Sequence, residues 1–240
     1  MRPDNLYFVP NRSAQPANLM PYVALHPKHP DLSVSFGQAT FNAEGQEARG
    51  KYFSRAIHWP GGASGVTIGR GYDMGQRTRL QIISELQHAG MSESDATFFG
   101  GAAGLRGESA RRFVATKSIE APILSLPSQR ALFETITTPE IIADIKRIFA
   151  KPDLHATYGV VTWEQLHPNA QELVFDLRYR GDYTPETRKR IQPALVAGDM
   201  NLLAAVMLDR DYWASRGVPA QRIEERIALL HEAPPLREVG

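Results

Sequence analysis

The segment Ser64-Gly65-Val66-Thr67-Ile68-Gly69-Arg70-Gly71-Tyr72-Asp73 sets a hydroxyl and a carboxylate at the two ends of a glycine-punctuated β stretch. Upstream, Glu44-Gly45 supplies a second carboxylate, one structural element earlier. Such a set suits cleavage of a glycosidic bond. That reaction needs one protonated carboxyl for the leaving oxygen and an ionised group that activates water or steadies positive charge. Glu44 falls at the end of a short helix beside Phe41 and Ala43, where desolvation would raise its pKa and fit it to the acid role. Asp73 falls at a strand end, where a carboxylate stays ionised, and the Thr67 hydroxyl can hold a water. Strand alternation puts Thr67, Gly69, Gly71 and Asp73 on one face, a floor bare enough for close approach of a bulky substrate.

Singly, each residue has a plainer reading. Glu44 could be a solvated helix-end residue, Asp73 a cap or turn residue, and Thr67 an ordinary strand residue. The combination is what points to catalysis. Glu47, three residues after Glu44, is the alternative acid if the helix register differs. His58 and Trp59 precede the turn and are candidates for lining a cleft and stacking on a sugar, against the commoner packed Trp beside a surface His. Arg70 and Tyr72, on the other face of the strand, are candidates for binding flanking groups of a glycan or for supporting the lobe. Arg178, Tyr179, Arg180 and Asp182 close a predicted helix, across the cleft in one reading and as a dipole-complementing last turn in the other. Gly69-Arg70-Gly71 lacks the third glycine of a dinucleotide fingerprint, and no Gly-Lys-Ser/Thr follows. The seven histidines show no metal-ligand spacing.

These residues need elements to hold them. A short helix over 36–47 is predicted to end near Gly45, with glycine accommodating a left-handed helix end. Residues 52–59 read as a strand, Pro60-Gly61-Gly62 as a turn and 65–72 as the returning strand of a hairpin. Helices follow over 78–88, from Ser92 to the breaks at Gly100-Gly101 and Gly104, and over 111–118 and 128–136. Thr138-Pro139-Glu140 reads as a restart, with Thr at the N-cap and Pro at the first position. Thr162-Trp163-Glu164-Gln165 is a capping box. Helices over 168–180, 185–197 and 199–209 follow, and Pro219 opens the last. A β-hairpin followed by many helices is α+β. Residues 1–35, with six prolines, read as an extended arm or linker ahead of a domain over 36–240.

The chain has 240 residues, enough for one large domain or two lobes sharing an interface. A net charge of +1 gives no general reason to expect nucleic acid. Arg49, Lys51, Arg55, Arg70, Arg77 and Arg79 surround the motif against one acid, Asp73. They form either a positive surface suited to an anionic polymer or scattered solvated side chains. The absence of cysteine excludes disulfides, thiolate metal sites and cysteine nucleophiles. The N-terminus lacks the apolar run of a secretory signal, and no stretch is long enough for a membrane helix.

The pattern Ala43-Glu44-Gly45 followed by Ser64 to Asp73 resembles the T4-type phage lysozyme superfamily, and within it the pesticin-like muramidases. In these a Glu-Gly ends the first helix and a Thr-Ile-Gly-x-Gly strand crosses the cleft. The pesticin-like spacing is matched, with Asp73 six residues after Thr67 and Thr67 twenty-three after Glu44. Gly61 and Tyr72 stand where the T4 phage form has an acid and a histidine. Gln171 to Leu177 resembles the central lysozyme helix, and Trp213 with Gly217 to Glu225 the closing one. The resemblance covers residues 36–232. It implies a lysozyme-like fold with the cleft between a small β lobe and a larger helical lobe. Glu44 would be the general acid, Asp73 the second carboxylate and Thr67 the water-positioning hydroxyl.

The resulting expectation is an N-acetylmuramidase that cuts the β-1,4 bond of peptidoglycan, without cofactor, as a monomer. It would be made in the cytoplasm without a signal peptide and act on the cell wall after delivery or lysis, as a phage endolysin, a bacteriocin or a secreted effector. A toxin would have a cognate immunity protein; neither nucleic acid nor membrane insertion is expected. The rival readings are a non-cutting module that binds cell wall or a partner, and a lytic transglycosylase or chitinase-like enzyme.

Overall fold

Helix-capping residues and glycines divide this chain into many short elements. A computed structural model of the chain describes residues 27, 29–50 and 53–231. They are mostly helical, with one two-stranded antiparallel sheet, an α+β arrangement. The helices are α1 (Gln38–Ala43), α2 (Arg79–His88), α3 (Glu93–Gly100), α4 (Glu108–Lys117), α5 (Leu126–Leu132), α6 (Thr138–Phe149), α7 (Pro152–Tyr158), α8 (Pro168–Arg180), α9 (Pro185–Ala197), α10 (Met200–Leu208), α11 (Arg210–Ser215) and α12 (Ala220–His231). The strands are β1 (Thr67–Ile68) and β2 (Tyr72–Asp73). No helix among the described residues is long and apolar enough to cross a membrane.

Two hydrophobic cores organise these elements. The smaller gathers Ile57, Val66, Ile68, Tyr72 and Met74 around the hairpin with Ile82, Leu86 and Phe99 of α2 and α3. The larger is built on α8, whose Leu173, Val174, Phe175 and Leu177 are fully buried among Phe41, Phe133, Ile191 and Trp213. No residue of α8 is exposed, so the helix lies in the middle of the core. Its neighbours α1, α6 and α12 pack directly on it.

The hairpin departs from the predicted one. Residues 53–59 form no strand beyond single bridges at Phe53 and His58, and residues 51 and 52 lie outside the described residues. The predicted 65–72 strand itself folds back, with Thr67 opposite Asp73 and Ile68 opposite Tyr72. Gly69 and Gly71 have positive φ (62° and 89°), so the three-residue loop Gly69-Arg70-Gly71 can reverse the chain.

Among the helices, α2 carries the full Thr78/Gln81 capping box and α3 is capped by Ser92. The restart at Thr138 is a correction. Thr138 is already helical, and α5 runs into α6 through a π turn at Phe133–Thr137. A wider turn leaves room for a proline ring and its missing N–H just beyond. At this turn the chain passes between cores, Leu132 lying in the smaller and Phe133 in the larger.

Part of the predicted arm is folded. Pro30–Leu32 forms a 3-10 turn that buries Leu32 in the larger core, a contribution of about 1.5–3 kcal/mol. The Ser35 amide donates to Glu134 at 2.7 Å. Residues 1–26 and 28 of the arm lie outside the described residues.

Candidate active site

Helix α1 has only six residues and is held from both ends. Its N-terminal amide, on Gly37, donates to the Glu172 carboxylate at 3.0 Å, and the Glu44 amide closes its last turn on Thr40. The predicted reason for Gly45 needs correction. Gly45 is not left-handed; a Cβ there would overlap the Arg70 guanidinium packed against it. Gly45→Ala is therefore expected to destabilise the protein by about 1–3 kcal/mol through displacement of Arg70, read from the midpoint of denaturant unfolding.

The Glu44 side chain accepts from Arg222 Nη1 at 3.0 Å and keeps 29% of its surface exposed. Burial raises the proton affinity of its carboxyl; Arg222 opposes this and the charge of Asp176 adds to it. Arg222 is itself part of a buried network. It and Arg226 bind Asp176, which also accepts from Thr40 Oγ1 at 2.8 Å. Burial works against the Asp176 carboxylate, but the two arginines outweigh it and keep its pKa low. Arg226 continues to Asp182 at 2.6 Å, where Arg180 also binds.

Tyr179, on the last turn of α8, joins the helical core to the hairpin. Its hydroxyl donates to the Arg70 carbonyl at the hairpin apex, 2.5 Å away. A Cβ on Gly71 would strike that hydroxyl, so this glycine serves a close approach. Burial comes first among the influences on the Tyr179 hydroxyl, and Glu44 is the foremost charge acting on it. Tyr179 therefore ties the helical core to the hairpin apex within the field of the Glu44 charge.

Thr67 and Asp73 are brought together, by cross-strand pairing and not by alternation along one strand. Thr67 is 3% exposed, and its hydroxyl donates to the Gly65 carbonyl at 3.3 Å. Both Asp73 oxygens accept backbone amides, Oδ2 from Gly65 at 3.0 Å and Oδ1 from Gly75 at 2.6 Å. His58 joins Thr67 through reciprocal backbone hydrogen bonds of 2.9 Å.

Arg70 and Tyr72 are placed away from an open surface. Arg70 is 3% exposed, stacks on Phe41 and binds Glu47 at 2.8 Å and the Phe41 carbonyl. Tyr72 is buried and donates to Glu85 at 2.6 Å. Trp59 packs against the smaller core with its indole nitrogen buried. Burial favours the neutral form of Glu47, but hydrogen bonds from Gln129, Arg70 and Arg55 outweigh it and bring its pKa below the ordinary value. That is the wrong direction for a general acid. Glu47, Arg55 and Arg70 line a pocket of about 460 Å³ with His29, Leu32 and Leu126. The cations around the motif are largely matched by acids, Arg55 and Arg70 by Glu47, and Arg77 by Glu85 and Glu140. Lys51 lies outside the described residues.

Sequence reasoning missed the Arg222–Asp176 pair as part of the site. The available signal was an acid inside the apolar run Leu173-Val174-Phe175-Asp176-Leu177 and two arginines four residues apart, Arg222 and Arg226, on one face of the last helix.

Residues 37–227 match the family described as a domain of unknown function (DUF8812), and the chain belongs to that family. No curated protein matches the chain.

Proposed function

We propose that this member of DUF8812 is a peptidoglycan hydrolase with a lysozyme-like architecture, an N-acetylmuramidase that uses Glu44 as its general acid. The observation that carries the reading is the Glu44 carboxyl itself. It is desolvated, raised in pKa and aimed by Arg222, and it neighbours a hairpin that pairs Thr67 with Asp73. A carboxyl with raised proton affinity is suited to donate its proton to a leaving oxygen. Thr67 offers a hydroxyl for the attacking water, and Asp73 braces the hairpin that carries it. The smaller core around the hairpin and the larger helical core support a two-lobed arrangement with the substrate running between them.

The substrate would be the glycan strand of the bacterial cell wall, reached outside the cytoplasm. Purified sacculi incubated with the protein should release reducing ends, and Glu44→Gln should lower the rate by about 10³-fold while leaving the circular dichroism unchanged. Retention of activity in Glu44→Gln would remove the assignment. Binding of sacculi without cleavage would replace it with a wall-binding module, and anhydro-muramic products would make the protein a lytic transglycosylase.

A further inference from the structure

We propose that His58 is the base that takes the proton from the attacking water, an assignment that rests on the muramidase reading and replaces Asp73 in that role. His58 and Thr67 exchange both of their backbone hydrogen bonds at 2.9 Å, which makes them a directly opposed antiparallel pair. On its other side Thr67 is directly opposite Asp73, and the bond from the Met74 amide to the Val66 carbonyl marks this as a pair that does not itself exchange hydrogen bonds. Directly opposed residues project to the same face, so His58, Thr67 and Asp73 form one row across three segments.

The neighbours on either side in sequence test that orientation. Ile57 and Trp59, Val66 and Ile68, and Tyr72 and Met74 should all project to the opposite face. All six pack in or against the smaller core. The row therefore lies on the face turned away from that core.

Within the row the roles separate. Both oxygens of Asp73 already accept amides that close the hairpin base, so this carboxylate is a brace. Thr67 donates to the Gly65 carbonyl, which leaves its oxygen to accept from a water. The His58 Nδ1 lies 3.3 Å from the Ala56 carbonyl, an acceptor, so Nδ1 carries the proton and Nε2 keeps its lone pair. Burial pushes the ring below its ordinary pKa, against the Ala56 hydrogen bond, and keeps it neutral at neutral pH.

The step balances without a further reactant. The water oxygen bonds to the anomeric carbon as the glycosidic carbon–oxygen bond breaks. The water proton passes to His58 Nε2, and the Glu44 proton passes to the leaving oxygen. Imidazolium and carboxylate then return to their starting forms by exchange with solvent. A single displacement inverts the anomeric centre.

His58→Gln, which keeps a hydrogen-bonding amide but accepts no proton, should lower kcat on sacculi by about 10²-fold with KM changed less than about threefold. Proton NMR of the first products should show the inverted anomer. Nitrogen-15 NMR of the histidine-labelled protein should show His58 neutral at pH 7 with the proton on Nδ1, a readout that needs no variant to fold. Activity of His58→Gln within about threefold of the native protein, retention of configuration, or a proton on Nε2 would each overturn the proposal. Glu44→Gln run in parallel separates the two failures: if it stays active the muramidase reading falls, and if it is inactive while His58→Gln is active only the base assignment falls.

Discussion

Replacing Asp176 by alanine is expected to destabilise the protein by about 3–5 kcal/mol, because it strands two buried arginines without their shared carboxylate. Arg222 and Arg226 both bind Asp176, and Asp176 is 2% exposed. For a domain of this size the loss corresponds to a fall in thermal midpoint of about 10 °C, measurable by calorimetry. Asp176→Asn keeps the shape and removes the charge, so it isolates a second effect. The charge of Asp176 raises the proton affinity of Glu44, while Arg222 lowers it. Without the Asp176 charge Arg222 acts more strongly on Glu44, and the Glu44 carboxyl gives up its proton at lower pH. The alkaline limb of the pH–rate profile on sacculi should move to lower pH in Asp176→Asn. An unmoved limb would separate Glu44 from the network that the geometry ties it to.

Glu172→Gln should make the protein more stable at pH 8 and remove a slope that the native protein shows. Burial pushes the Glu172 carboxyl up to about 7; the Gly37 amide works against this and Asp176 with it. In the unfolded chain a glutamate releases its proton near pH 4.3. Between that value and about 7 the folded protein therefore holds a proton that the unfolded chain has lost. Stability is then greatest below the unfolded value, falls as pH rises through this window and levels off above it. With its partly exposed edge the effect is on the order of 2 kcal/mol. The glutamine oxygen can still accept from Gly37, so α1 keeps its N-terminal anchor. Urea midpoints taken at pH 4.5, 6 and 8 should differ less from one another in the variant than in the native protein. An unchanged slope would show that Glu172 ionises freely in the folded protein.

Much of the helical framework was legible in local chemistry. Ser92 caps its helix through its hydroxyl, Gln165 reaches back to the Thr162 amide, and the last helix begins after Pro219, because such signals depend on residues within one turn. The hairpin was legible as glycine-rich β structure but not in its register. Gly69 and Gly71 were read as a floor along one strand, whereas they are the two bends of its reversal. Thr67 and Asp73 share a face under either reading, since a strand of that span and a hairpin with that loop give the same parity. The Glu44–Arg222 and Tyr179–Arg70 contacts join residues far apart in the chain. No periodicity carries that information. The placement of Arg70 was hidden for a related reason. Arg70 was read on a strand face, as a ligand for a glycan or a support for the lobe, and the space left by Gly45 that accepts it appears only once the chain has folded.

The π turn at Phe133–Thr137 has a consequence for how this chain can change in length. A π turn is equivalent to one residue inserted in a regular helix. Deleting a residue here would leave a continuous helix, yet it would rotate everything beyond by about 100° relative to everything before. Leu132 and Phe133 belong to two different cores, so such a rotation would swing Ile145, Ile148 and Phe149 away from α8 while the hairpin side stayed in place. Many side chains in this stretch can be exchanged for others of like size. The number of residues cannot change, and relatives that vary in loop length elsewhere should keep the count between Leu132 and Ile145.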